Sequence, residues 1–199
     1  MFDWIKNITK ESPQFWKNYA ASFAVKTNRY VVLSTETTGL NPKKDVIVSI
    51  GAIAIADNAI IIADSFEVVI PQYQYLHDNG ITNDFLIESA QKKMIESEAM
   101  EQFVDFIKNS TLVGHRIHFD IEMINEALDK IGAGRLKNEA LDVEVMYKKL
   151  LDSNEKSYTI DALLKLFKIP KSDRHSASEE AYTIALLFLK LKSKLSINF

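Results

Sequence analysis

The sequence predicts an α/β domain in which a mixed β-sheet is flanked by helices. Two features predict this class: three β-rich runs follow one another early in the chain, and after Pro71 apolar runs alternate with helical periodicity. Strands that can pair through short turns, followed by strand–helix units, give a sheet with both antiparallel and parallel neighbours. With 47% hydrophobic and 26% charged residues over 199 positions, the chain can fill one core but not two comfortable ones.

The elements follow in chain order. Residues 3–25 carry Trp4, Ile5, Ile8, Phe15, Trp16, Tyr19 and Phe23 at helical spacing, with Ser12-Pro13 as a break and restart. This reads as an N-terminal helical arm, residues 1–27, ahead of a main domain over 28–199. Arg29–Ser34 is a short apolar strand, and Gly39, Asn41 and Pro42 mark the loop after it. Val46–Ala56 and Ala59–Ile70 are further strands joined by an Asp57-Asn58 hairpin turn. Helices are expected over Asn83–Ala90, Ser97–Asn109, Asp120–Ile131, Leu141–Leu151, Thr159–Phe167 and Ser178–Leu195, with a buried strand at Thr111–Gly114.

Composition narrows the chemistry. The chain has no cysteine, so disulfides and thiolate metal sites are excluded and any metal must be held by oxygen or imidazole. No apolar run has spanning length, and charges interrupt the N-terminal stretch where a signal peptide needs an apolar centre. A cytoplasmic location without membrane attachment is expected. The net charge of −3 does not point to nucleic acid. A site that gathers carboxylates nevertheless reads acidic while keeping a basic rim, for which Lys43, Lys44, Arg116, Lys168, Lys171 and Arg174 are candidates. For the lysines alone, a solvated surface is the better reading.

Three segments carry candidate chemistry. In LSTETTGL an apolar strand runs into Ser34 and Glu36, which alternation places on one face, and Gly39 then allows a tight turn beside a ligand. An acid pair at 34 and 36 would clamp a divalent metal, but only Glu36 is acidic. In GHRIHFD, Asp120 opens a helix, and for this segment alone an N-cap explains it better than a metal does. In RHSASEEA, His175 and Glu180 sit at the start of the last long helix. A histidine among carboxylates can act as a general base, and a surface histidine before a capped helix fits equally well.

Taken together and in this order, LSTETTGL with VIVSIGAIAI, GHRIHFDIEMI and DRHSASEEAYTIALLF resemble the histidine subclass of the DEDD 3′→5′ exonucleases, most of all epsilon-type proofreading subunits. HDNGITNDFL and TIDALLKLFKIP sit where that family has similar stretches, so the resemblance runs from about Arg29 to Leu191. It implies a ribonuclease H-like sheet flanked by helices, two Mg²⁺ or Mn²⁺ ions held by carboxylates, and hydrolysis at nucleic-acid 3′ ends. Glu36, Asp120 and Glu180 match metal-binding acids, and His175 matches the general base. Thr37, Thr38, Gly39, Leu40, His115 and Phe119 are implied substrate contacts. Single-stranded DNA is the implied substrate and a DNA polymerase subunit an implied partner.

The chain departs from that pattern at two positions. Ser34 stands where the family has the Asp that bridges both metals, and Glu180 stands where it has Asp. Losing the bridging carboxylate removes a full charge and a shared ligand. The expectations are therefore an exonuclease or, alternatively, a catalytically impaired module that still binds single-stranded 3′ ends. The aromatics Trp4, Phe15 and Trp16 also allow a docking arm, although ordinary packing accounts for them.

Overall fold

A computed structural model describes residues 12–72, 92–152, 157–170 and 176–196. Among these residues the order is α1 (Gln14–Ser22), β1 (Tyr30–Thr37), β2 (Ile47–Ala56), β3 (Ala59–Val69), α2 (Glu96–Ile107), β4 (Thr111–Gly114), α3 (Ile117–Lys130), β5 (Ala140–Asp142), α4 (Val143–Leu151), α5 (Ile160–Leu166) and α6 (Ala177–Lys194). The expected helix Asn83–Ala90, residues 1–11 of the arm, and His175 lie outside the described residues.

The five strands form one sheet in the order β3-β2-β1-β4-β5. β1 pairs antiparallel with β2, and β2 antiparallel with β3, whereas β4 runs parallel to both β1 and β5. The β2–β3 hairpin turns at Asp57 and Asn58, both with positive φ (50° and 60°), as a tight primed turn requires. Alternation along β1 divides the core between two faces. Val31 and Leu33 pack with residues of α1, α2 and α3, while Tyr30 and Val32 pack with residues of α4, α5 and α6.

The helices form for identifiable reasons. α2 buries Ala99, Met100, Phe103, Val104 and Ile107, a stripe at helical spacing. Caps start the later helices: Asp142 accepts from Glu144 N and Val145 N, Thr159 from Ala162 N, and Ser176 from Glu179 N. Lys192 and Lys194 in the last turn of α6 suit the helix dipole.

Beyond shifts of a residue or two elsewhere, three boundaries near the candidate site differ from the sequence reading. β1 continues past Ser34 to Thr37 because its ladder with β2 extends through Glu36↔Ser49. The helix expected from Leu141 begins at Val143. Residues 140–142 instead pair with β4, and a ladder satisfies backbone groups that a first helical turn would leave open. Finally, α3 begins at Ile117, so Asp120 lies inside its first turn and is not its cap. The cap position falls to Arg116 in a left-handed conformation (φ 57°), with no side-chain hydrogen bond.

Candidate active site

The end of β1 carries Ser34 and Glu36, and Asp120 meets the same strand end from α3. β4 leaves the β1 ladder at Val32↔Val113, so the backbone beyond that point is free to meet other groups on this side. Asp120, reaching over from α3, takes up that position. Thr35 Oγ1 donates to Asp120 Oδ1 at 2.6 Å, and the Thr35 backbone also hydrogen-bonds to the carboxyl. Burial pushes Asp120 up to about 7, the Thr35 bonds pull the other way, and the charge of Glu180 on α6 raises it further. Two acids from opposite layers of the fold thus act on each other at the end of the first strand.

Ser34 and Glu36 share the other face of β1, toward α6. Ser34 is only 7% exposed and lies directly opposite Gly51. The start of α6 rests on that glycine: a Cβ at position 51 would fall 2.0 Å from Ser178 N and 2.2 Å from the Ala177 carbonyl carbon. Gly51 therefore admits the helix that carries Glu180. Glu67, opposite Gly51 on β3, accepts a hydrogen bond from Ser178 Oγ and ties the same turn to the sheet. Glu36 accepts from Ser49 Oγ at 2.6 Å, and the register shift between Glu36 and Thr37 turns the strand at this point.

The loop after β1 is closed from within. Thr37 Oγ1 donates to the Gly39 carbonyl at 2.8 Å. Asp45 accepts from Thr38 Oγ1 at 3.1 Å and from Asn41 N at 2.8 Å. The Asp45 carboxyl sits 2.6 Å from where a Gly39 Cβ would be, so glycine is needed there for the loop to fold inward. The outcome is a Leu40 side chain that is 85% exposed at the tip. Of the basic rim candidates, Lys43 bonds Glu126 at 2.7 Å, Lys44 is exposed, and Lys171 and Arg174 fall outside the described residues.

His115 and Phe119 sit differently. His115 Nε2 contacts the Tyr158 carbonyl at 2.9 Å and lies 3.8 Å from Glu144. Burial works to raise Glu144, yet Lys148, the Tyr158 N–H and Ser157 Oγ hold it at about 2, so it is an ionised anchor in the first turn of α4. His115 thus joins a buried polar network linking the start of α3 to the segment before α5. Phe119 is partly buried against the core beneath α1–α3.

The donors at the site are carboxylates and hydroxyls, which suit hard cations such as Mg²⁺ or Mn²⁺. Among the described residues no three acids or histidines are close enough together to hold a metal ion unaided. The fit to a cation rests on this donor set: a positive charge beside Asp120 would favour the ionised form that burial disfavours. Sequence reading missed Thr35, Ser49, Gly51, Asp45 and Glu67. Strand register would have paired Ser49 with Glu36 and Gly51 with Ser34. Nothing in the local sequence signals the reach from Thr35 to Asp120.

A mixed sheet flanked by helices, with Glu36 and the buried Asp120 at the end of its first strand, is the architecture of ribonuclease H-like nuclease domains. The sequence pattern of the exonuclease (RNase T) family matches residues 31–188, and the chain belongs to that family. It is 31% identical over 175 residues to the DNA polymerase III subunit epsilon of Rickettsia felis, covering 82% of this chain and 73% of that one. The epsilon subunit of Buchnera aphidicola subsp. Acyrthosiphon pisum is 32% identical over 176 residues, covering 81% and 71%. Similarity extends to the PolC-type DNA polymerase III of Caldanaerobacter subterraneus subsp. tengcongensis, 31% identical, of which the chain spans only 12%. Among solved structures, E. coli exonuclease I in complex with a dT13 oligonucleotide shares the fold at a TM-score of 0.65 and 17% identity, covering 85% of this chain and 42% of that one. Exonuclease X in complex with 5′ overhanging duplex DNA does so at 0.60 and 17%, covering 85% and 94%.

Proposed function

We propose that this chain is a metal-dependent 3′→5′ exonuclease domain acting on single-stranded ends, DNA rather than RNA, at a rate held down by Ser34. The observation that carries this reading is buried Asp120, held by the Thr35 hydroxyl at the end of β1, the strand that also carries Glu36. A buried carboxylate costs stability unless a proton or a bound cation offsets its charge. Glu36, Asp120 and Glu180 are the residues that would hold the metal, with Ser34 offering a neutral hydroxyl where the family has a carboxylate. Mg²⁺ or Mn²⁺ bound there supplies an acidified water and stabilises charge on the departing 3′ oxygen.

The chain's own groups do the rest. Thr35 fixes Asp120, Ser49 fixes Glu36, and the Glu67–Ser178 bond with Gly51 fixes the turn that carries Glu180. His175, just before α6, takes the proton of the attacking water at its imidazole, a role that rests on resemblance. The loop Thr37–Leu40 presents the exposed Leu40 to the terminal nucleotide. The epsilon relatives favour a DNA polymerase as partner and a cytoplasmic setting. No helix among the described residues is long and apolar enough to cross a membrane.

A second reading has its own observation. Ser34 is buried against α6 without a carboxylate, which favours a module that grips 3′ ends and leaves them uncut. Purified protein on a 5′-labelled single strand separates the two. Products shortening stepwise from the 3′ end, stopped by chelator, establish the exonuclease. Binding in anisotropy without any shortening in Mg²⁺ or Mn²⁺ establishes the module. Cleavage of a 5′ end or of internal bonds would reject both.

A further inference from the structure

A cleft of about 830 Å³ lies between α1, α2 and the edge strand β3, sharing no residue with the candidate site. Its floor is aromatic: Phe15 of α1, Phe66 of β3 and Phe106 of α2, all partly buried. Phe66 and Phe106 rings lie 5.7 Å apart, so the floor is continuous. Its rim is acidic, because Glu98, Glu101 and Asp105 line one stripe of α2 at the mouth. Among the described residues none of these three acids is paired with a lysine or arginine. The nearby ion pairs engage Glu96 and Asp64, and Lys92 reaches Gln102 instead.

Like charges at this spacing on one helix destabilise it slightly; the dipole at the helix start and a bond from Gln102 favour Glu98, while Glu101 and Asp105 lie farther along the helix. One of the floor rings already carries a cation from outside the cleft. Arg29 stacks over Phe106 with its guanidinium carbon 4.8 Å from the ring centroid, held there by a two-point bond to Asp64. A polyanion is repelled by the rim, so the cleft does not serve nucleic acid. A bare cation would leave the aromatic floor wet.

We propose that this cleft docks a basic peptide segment of a protein partner. An aromatic or long aliphatic side chain seats on Phe15, Phe66 and Phe106, and flanking Lys or Arg side chains meet Glu98, Glu101 and Asp105. This does not depend on the nuclease reading, and it places the partner surface apart from the candidate active site.

The probe is a fluorescein-labelled lysine heptapeptide with a central phenylalanine, titrated into the full chain by anisotropy at low salt. Its counterpart has glycine for phenylalanine at the same charge. Binding is expected to weaken about tenfold with the glycine peptide, the loss of one buried aromatic contact. A similar loss is expected in a Glu101→Gln, Asp105→Asn double variant. A charge-matched double variant elsewhere, Asp57→Asn with Asp129→Asn, should stay within about twofold. Equal weakening by both double variants, or indifference to the phenylalanine, would reduce the interaction to net charge and overturn the proposal. Because the chain has no cysteine, Gln14→Cys carries a single benzophenone at the rim. Crosslinks to the added peptide support the proposal. Crosslinks to residues 1–11 of the same chain or to a second copy, persisting in excess peptide, assign the cleft to that occupant and overturn it.

Discussion

The Thr35 hydroxyl donates to Asp120 Oδ1 at 2.6 Å, linking the strand that carries Glu36 to the helix that carries the buried acid. Thr35 lies between Ser34 and Glu36 in sequence but faces the opposite layer, so one strand end serves both sides of the site. Thr35→Val keeps the shape and removes the donor. With the carboxyl left short of a partner, the folded state should lose about 1–3 kcal/mol, more at pH 8 than at pH 5. Thr35→Ser should restore most of it. Denaturant melts of the three proteins at both pH values check this, and equal stability of the Val variant at pH 8 would remove Thr35 from the account.

The raised Asp120 gives a second expectation. Its folded value of about 7 lies above the ordinary 3.8, so the folded state holds the proton more tightly. Stability from this group is therefore full below about pH 4, falls as pH rises toward 7, and levels off above that. Glu144 works in the opposite sense and in another window. It is held at about 2 against an ordinary 4.5, so its contribution is present above that range and lost as pH falls through it. Melting temperature of the metal-free protein should therefore decline between pH 5 and pH 7.5. Asp120→Asn should flatten that decline, and an unchanged slope in that variant would assign it to other groups.

The close approach at Gly51 makes a third. A methyl group there meets backbone atoms of Ser178 and Ala177 at 2.0–2.2 Å, and backbone cannot rotate aside as a side chain can. Gly51→Ala should cost about 1–3 kcal/mol by forcing α6 away from the sheet. It should also relax the influence of Glu180 on Asp120. Circular dichroism melts with a carbon-13 titration of Asp120 test both parts. An Ala variant as stable as its parent would show that the helix sits farther from β2.

Much of this was legible in the sequence because alternation and turn chemistry are local. Tyr30–Val32–Ser34–Glu36 reads as one face without knowledge of the fold, and Asp57-Asn58 announces its hairpin. The misreadings came from pairing. Ala140–Asp142 has no strand character of its own and becomes one because β4 offers a ladder. Asp120 reads as a cap because three residues of helix ahead of it, starting from a left-handed Arg116, leave no ordinary signal. The contacts that shape the site, Thr35 with Asp120 and Ser178 with Glu67, span 85 and 111 positions, beyond any local pattern.

The final expectation is that Ser34 limits activity, so Ser34→Asp should raise exonuclease rate far more than Glu180→Asp. At position 180 the carboxylate is present and its charge already reaches Asp120, so shortening it by one methylene changes reach without changing the charge. At position 34 the charge is missing. Thr35 cannot supply it, since its hydroxyl is engaged with Asp120 on the other face, and Glu67 cannot, because the first turn of α6 rests on Gly51 between them. Restoring a carboxylate there should raise the rate on the order of 10²–10³, the worth of one strong electrostatic stabiliser. The same change should destabilise the metal-free protein, because a buried carboxylate would join the Asp120–Glu180 repulsion, and Mn²⁺ should reverse that loss. Wild type, both single variants and the double variant are compared on a 3′-labelled single strand in Mg²⁺ and then Mn²⁺, with melts run alongside. A wild type turning over at about 1 s⁻¹ or faster, the range of ordinary enzymes, would sink the idea. So would a Ser34→Asp protein that Mn²⁺ stabilises but that cleaves no faster than its parent, because the missing carboxylate would then not be what limits the reaction.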